Sequence, residues 1–253
     1  MNSKYYDLEN KRVFVTGGGS GIGASIVEHF CEQGSEVYFV DINIKESKKL
    51  VNQITGKNYR VPEFIECDLL DIDKLQKTIE NIINQKGPIH VLINNAANDQ
   101  RHTTDEVDEK FWDNRMAINL KHFFFTIKSV KNSMIKNNGG AIVNLGSISW
   151  MLGEGDKVAY ETAKSAVVGL TRSFAKEFGK YNIRSNSVIP GSIATERQIK
   201  HWLTPEYKKW ILDKQCIKRQ LIPEDVANMV LYLSSDVSSG CTKQNFIVDG
   251  GIF

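Results

Sequence analysis

The chain has 253 residues, 32 Lys and Arg against 30 Asp and Glu for a formal net charge of +2, and 41% hydrophobic residues. That length lets a single α/β unit bury a sizeable core without metal or disulfide staples, and the balanced charge gives no basic field for a nucleic-acid backbone. With no apolar run near the roughly 18 residues of a membrane span, no apolar signal stretch in MNSKYYDLENKR and no C-x-x-C pair among Cys31, Cys67, Cys216 and Cys241, the expectation is a cytoplasmic globular protein with free thiols.

A β-branched apolar run predicts the first strand at 12–16. It leads into Thr16-Gly17-Gly18-Gly19-Ser20-Gly21-Ile22-Gly23 and a helix over 21–33. Glycines at a strand-to-helix turn let the backbone approach a pyrophosphate, whose charge the helix N-terminus favours. The spacing fits T-G-x-x-x-G-x-G better than G-x-G-x-x-G, so Gly17, Gly21 and Gly23 are the expected cofactor glycines, with Ser20 and Ile22 between them. The second strand, 36–40, ends at Asp41-Ile42. A carboxylate there accepts hydrogen bonds from the adenosine ribose and repels a 2′-phosphate, and no Arg or Lys stands beside it, so NAD is expected over NADP. After a helix at 44–55 and a strand at 63–66, Asp68-Leu69 is placed to meet the adenine, although Asp68 could equally cap the helix over 72–85.

The fourth strand, 91–94, runs into Asn95-Ala96-Ala97-Asn98, and one long helix is expected over 108–137, carrying Asn119. The fifth strand, 141–145, delivers Ser147. A helix over 157–179 places Tyr160 and Lys164 one turn apart on one face. Roughly one Tyr/Lys pair at that spacing is expected by chance, so its weight comes from its company at the carboxyl ends of neighbouring strands. A strand at 183–188 follows, then Pro190-Gly191, Ile193 and Thr195. The mixed stretch 192–220 reads as a lid over a site. A helix at 223–234 and a strand at 245–248 complete the chain. Strands separated by helices imply right-handed crossovers and one doubly wound parallel sheet of about seven strands, a Rossmann fold in a single domain. The five histidines form no metal-spaced set, and no G-x-S-x-G hydrolase elbow occurs.

Thr16-Gly17…Gly21-Ile22-Gly23, Asn94-Asn95-Ala96, Ser147, Tyr160…Lys164, Pro190-Gly191 and Asp249-Gly250-Gly251, in that order and spacing, resemble the short-chain dehydrogenase/reductase family over essentially the whole chain. The resemblance implies a nicotinamide-dependent oxidoreductase with an Asn119–Ser147–Tyr160–Lys164 tetrad. It also implies Tyr160, Lys164, Asn95, Ala96, Pro190, Gly191, Ile193 and Thr195 around the cofactor, and a homotetramer. Ala97 departs from the usual Gly. The chemistry agrees: an alcohol losing hydride must also lose its hydroxyl proton, and bringing a tyrosine from ~10 to ~7 takes about 4 kcal/mol of positive potential, from Lys164 and the oxidised cofactor together. Ser147 can hold the substrate oxygen. Asn119 can anchor a water leading from Lys164 to solvent, unless it bonds its own helix backbone.

Asn98…Arg101-His102, Ser149-Trp150, Arg197-Gln198 and Trp202 resemble the aldose 1-dehydrogenase branch of that family, D-xylose 1-dehydrogenases among them. Met151 stands where a His is expected. These residues are candidate partners for sugar hydroxyls, with Trp150 or Trp202 as a flat face for sugar C–H groups, and Met151 with the 153–155 turn as a crowding element that favours a pentose. The alternatives are an NAD-linked 3-hydroxyacyl or secondary-alcohol dehydrogenase, and an inactive binding protein of the same fold. A homotetramer is also suggested by Phe123-Phe124-Phe125 and the small-residue face Ala159, Ala163, Ala166, Val167.

Overall fold

A computed structural model describes residues 4–253. Seven strands form one parallel sheet in the order β3-β2-β1-β4-β5-β6-β7, with β1 Arg12–Thr16, β2 Glu36–Asp41, β3 Glu63–Glu66, β4 Val91–Asn94, β5 Gly140–Leu145, β6 Ile183–Pro190 and β7 Asn245–Val248. The chain starts in the middle and winds outward both ways, so the strand order reverses between β1 and β4, where the carboxyl ends open a crevice.

Alternation along β1 shows why its sequence is uniformly apolar. Val13 and Val15 join a core with α1 (Gly21–Glu32), α2 (Ile44–Thr55) and α10 (Pro223–Ser234), whereas Phe14 points into a second core with α3 (Ile72–Lys86), α5 (His122–Lys136) and α7 (Val158–Phe178). A strand covered on both faces has no solvent side on which to carry polar residues. Buried polar side chains cross the second layer: Thr126 donates to Asn94 Oδ1 at 2.6 Å, Asn94 to Asn144 at 2.9 Å and Asn144 to Thr171 at 3.0 Å. Every member is satisfied, so the chain fixes α5 and α7 against the carboxyl ends of β4 and β5.

Two expectations change. The helix expected over 108–137 is α4 (Glu109–Met116) and α5 joined by a π turn, Ala117–Lys121. The stretch 192–220 contains two short helices, α8 (Glu196–His201) and α9 (Pro205–Lys214), capped by Thr195 and Thr204. A further short helix, α6 (Ser149–Leu152), follows β5. Among the described residues no helix is long and apolar enough to cross a membrane, and the four cysteines are free.

Candidate active site

A cleft of about 520 Å³ opens over the carboxyl ends of β1, β2, β4, β5 and β6. Of the expected cofactor residues, all but Gly21 line it. The glycine loop is tight because other backbone occupies the space of its missing side chains. A Cβ on Gly23 would lie 1.9 Å from the Gly17 carbonyl, and one on Gly17, whose φ is +65°, would lie 2.8 Å from Ala96. Asn95 locks the same junction, donating from Nδ2 to Thr16 O at 3.1 Å and Gly17 O at 2.9 Å, while Thr16 Oγ1 accepts the Asn95 and Ala96 N–H groups. Ser20, the N-cap of α1, makes no side-chain cap bond, which leaves the first-turn N–H groups facing the cleft for an anion. Asp41 accepts the Gly19 N–H on Oδ2 and the Asn43 N–H on Oδ1, both at 2.8 Å. Each oxygen keeps a lone pair for a ribose hydroxyl. This cradle fits a dinucleotide.

Tyr160 and Lys164 project from α7 beneath this half. Lys164 is fully buried and donates from Nζ to Leu145 O at 2.6 Å. Burial outweighs the opposing charge of Asp99 and brings its pKa down to about 7. Burial and then Asp99 push the Tyr160 phenol above its ordinary value, while hydrogen bonding with Ser147 pulls it back. Against the lowered tyrosine expected from the sequence, the chain by itself holds Tyr160 raised, because desolvation outweighs every polar neighbour. Ser147 Oγ also lies 2.9 Å from Ser149 Oγ and accepts the Ser149 N–H.

Asn119 does not line the cleft. Buried in the π turn, it accepts the Asn98 N–H on Oδ1 at 2.8 Å and donates to Asn98 O at 3.2 Å, clamping the loop after β4 rather than bonding its own helix. His122, three residues on and fully buried, lies with Nε2 3.2 Å from Ala96 O on the same loop. Burial and Lys164 hold it down to about 3, so it is neutral, with Nε2–H as the donor to that carbonyl.

In the substrate half, Asn98, Arg101, Ser149, Arg197 and Gln198 line the cleft as expected. Four expected residues do not. His102 lies with Nδ1 3.1 Å from Gln100 O, accepts the Ala159 N–H on Nε2 at 3.3 Å and packs on Phe111, so it fastens the start of α7. Trp202 lies off the cleft, and the Arg101 guanidinium covers one face of its ring at 4.6 Å. Trp150 and Met151, on α6, sit off the cleft, so Met151 crowds nothing in it. The open aromatic surface belongs instead to Tyr207 and Trp210 of α9, which line the cleft with rings stacked 5.8 Å apart at 10°.

Asp99, Glu154 and Lys157 also line the cleft and were not among the expected residues. Asp99 lies inside the run Asn98…His102 that the sequence singled out, and Lys157 stands in Gly155-Asp156-Lys157, a polar approach to Tyr160; Glu154 carries no local signal. Every cation of this half is paired: Arg101 with Asp156, Lys157 with Glu154 and with Asp156 at 3.2 Å, and Arg197 with Asp99 at 3.0 Å.

A family model described as enoyl-(acyl carrier protein) reductase, one of those for short-chain dehydrogenases/reductases, matches residues 17–252. A D-xylose 1-dehydrogenase of Caulobacter vibrioides is 43% identical over 99% of both chains. A probable galactose dehydrogenase of Rhizobium meliloti is 41% identical over all of this chain and 98% of that one. Among solved structures, a 7α-hydroxysteroid dehydrogenase complexed with NADH and 7-oxo glycochenodeoxycholic acid superposes with a TM-score of 0.92 at 29% identity, covering 99% of this chain and 97% of that one. The chain is an oxidoreductase of the short-chain dehydrogenase/reductase family, to which its fold, its glycine cradle and its Tyr160–Lys164 helix belong.

Proposed function

We propose that this chain is a cytoplasmic, homotetrameric dehydrogenase that uses NAD to oxidise an aldose at C1 to its lactone. The observation that carries the reading is the substrate half of the cleft: convergent hydrogen-bonding groups, a stacked aromatic surface and no unpaired cation apart from Lys164 at the reacting end. A cyclic sugar presents ring hydroxyls that need partners, since a buried hydroxyl left unpaired costs about 1–3 kcal/mol, and its C–H faces suit Tyr207 and Trp210. Similarity to sugar dehydrogenases at 41% and 43% identity supports the same substrate class.

In this reading Ser147 holds the anomeric oxygen by a hydrogen bond and Tyr160 takes its proton. Lys164, anchored on Leu145 O, supplies positive potential beneath the phenol. An oxidised nicotinamide bound in the cradle supplies the hydride acceptor and further positive charge. Asn119 holds the Asn98 segment in place, and Asp41 favours NAD by occupying the position where a 2′-phosphate would need a cation. A segment closing over the substrate, 192–220, brings Arg197, Gln198, Tyr207 and Trp210 to it.

D-xylose is the first substrate to test, on similarity alone, because the crowding expected of Met151 does not operate. The hydroxyacyl alternative fits less well: thioesters on coenzyme A or a carrier protein bring phosphate charge, and the cations at this entrance are already engaged. A screen of NAD and NADP reduction with aldopentoses, aldohexoses and 3-hydroxyacyl compounds tests the reading. Aldose-dependent NADH formation with release of a hydroxamate-trappable lactone is expected. Failure of every aldose alongside turnover of a hydroxyacyl compound overturns it, and an equal or higher kcat/KM with NADP overturns the cofactor preference.

A further inference from the structure

We propose that Asp99 is the specificity-determining residue of this cleft, a carboxylate that accepts a hydroxyl of an uncharged polyol and turns away substrates carrying a carboxylate. The proposal rests on the aldose reading above.

Asp99 lines the cleft with about a fifth of its side chain exposed. Its two oxygens have one partner each from α8: Arg197 Nη2 lies 3.0 Å from Oδ1, and Gln198 Nε2 donates to Oδ2 at 2.9 Å. A carboxylate oxygen accepts two hydrogen bonds, so each retains a lone pair toward the cleft. The backbone beneath is rigid, because Asn119 clamps the preceding residue from both sides. Asp99 also acts on the reacting end, being the carboxylate with the largest effect on Tyr160 and on Lys164. A negative charge there opposes formation of the phenolate while it favours the charged form of Lys164, so its effect on the reacting pair is divided, and its place in the lining is accounted for by a substrate hydroxyl. Hydroxyl donors are what a sugar offers, and an ionised acceptor binds them more strongly than a neutral one.

The neighbouring charges complete the filter. Arg101, Lys157 and Arg197 are held by Asp156, Glu154 and Asp99. An anionic substrate therefore meets only cations already neutralised by a carboxylate, while facing Asp99 directly. An aldose meets neither obstacle.

The rival account is that Asp99 only latches α8 over the cleft, in which case its loss lowers turnover of all substrates alike. Matched pairs that react at the same C1 separate the two: galactose against galacturonate, and glucose against glucuronate, assayed by NADH formation. The wild-type protein should favour the aldose over its uronate by at least about tenfold in kcat/KM. D99N, which keeps the size and hydrogen-bonding reach of the side chain, should lower kcat/KM for the aldose by about 10- to 100-fold, mainly through KM, and reduce the aldose-to-uronate ratio by at least about tenfold. Equal use of both members by the wild-type protein overturns the proposal, and so does an unchanged ratio in D99N. If D99N does not fold, the wild-type ratio together with its inhibition by xylitol against xylonate decides the matter, equal inhibition counting against a charge filter. If no aldose is oxidised at all, the aldose reading fails separately. The same comparison then runs with butan-2-ol against 3-hydroxybutyrate, where a preference for the neutral alcohol that collapses in D99N upholds the filter and its persistence overturns it.

Discussion

Tyr160 carries the sharpest expectation at the level of single residues. Y160F removes the proton acceptor and leaves the cradle of Gly17, Gly23 and Asn95 untouched. Turnover should fall at least ~10²-fold, as for loss of an essential base, while NADH binding followed by fluorescence stays within about twofold of wild type. More than about 1% residual turnover counts against the assignment. Residues of this kind are legible in a sequence because strand ends place them: Asp41 ends β2 and Ser147 follows β5, whatever the side chains around them. His102 and Trp202 are a different case. Both are polar or aromatic residues in loops near the site, and nothing local says that His102 will be used by Ala159, 57 positions on, or that Arg101 will cover the Trp202 ring. Their roles depend on which partners the fold brings to them, and that is a tertiary fact.

At the level of elements, the helix expected over 108–137 shows where periodicity stops being informative. Apolar spacing identified the helix, yet the π turn at 117–121 leaves the pattern almost unchanged while turning Asn119 onto Asn98. Such turns recur at functional sites. N119A should therefore cost more than a typical helix substitution: two hydrogen bonds to a buried backbone segment are lost, worth about 1–3 kcal/mol together, and kcat/KM should fall at least tenfold because Asn98 and Asp99 lose their support. Urea unfolding and steady-state kinetics check the two parts, and wild-type kinetics in N119A would show that the loop needs no clamp. The helices of the 192–220 segment carried a readable signal that composition obscured. Thr204-Pro205 is a helix start, with Thr204 accepting the Tyr207 N–H and proline in the first turn. The seven strands and the doubly wound sheet, by contrast, follow directly from alternating apolar runs and amphipathic helices, because the central strands are covered by helices that the sequence also shows.

For the molecule as a whole, acid stability and assembly are both open to measurement. His90 accepts the Arg12 N–H on Nδ1 at 3.0 Å, and burial together with Arg12 lowers it from 6.5 to about 4. Between those values the unfolded chain binds this proton and the folded one does not, so His90 lowers stability as pH drops from 6.5 to about 4, by up to about 1.4 kcal/mol per unit, and its contribution levels off below, beside that of His122, which runs on to about 3. H90N, which keeps an acceptor for Arg12 without a titrating ring, should make that part of a urea-unfolding profile less steep, the slope from His122 remaining; parallel profiles would remove His90 as a cause. Assembly is the broader test. Three of the small residues expected to form a subunit contact, Ala159, Ala163 and Val167, are already buried within one chain, as is Phe123, and so belong to the core. What is left exposed is larger: Phe124 at 45%, Val158 at 40% and Trp112 at 36%, spread over α4, α5 and α7, with Phe124 edge-on to Phe125 and tilted against Phe174. Apolar side chains of that size on adjacent helices are costly to leave in water and suit a self-complementary helical interface. Sedimentation equilibrium at micromolar concentration should give about four times the chain mass of 28.6 kDa, and F124K, which sets a charge into that face, should yield smaller species that still bind NADH. A 28.6 kDa particle for the wild-type protein would assign these side chains to the surface of a monomer.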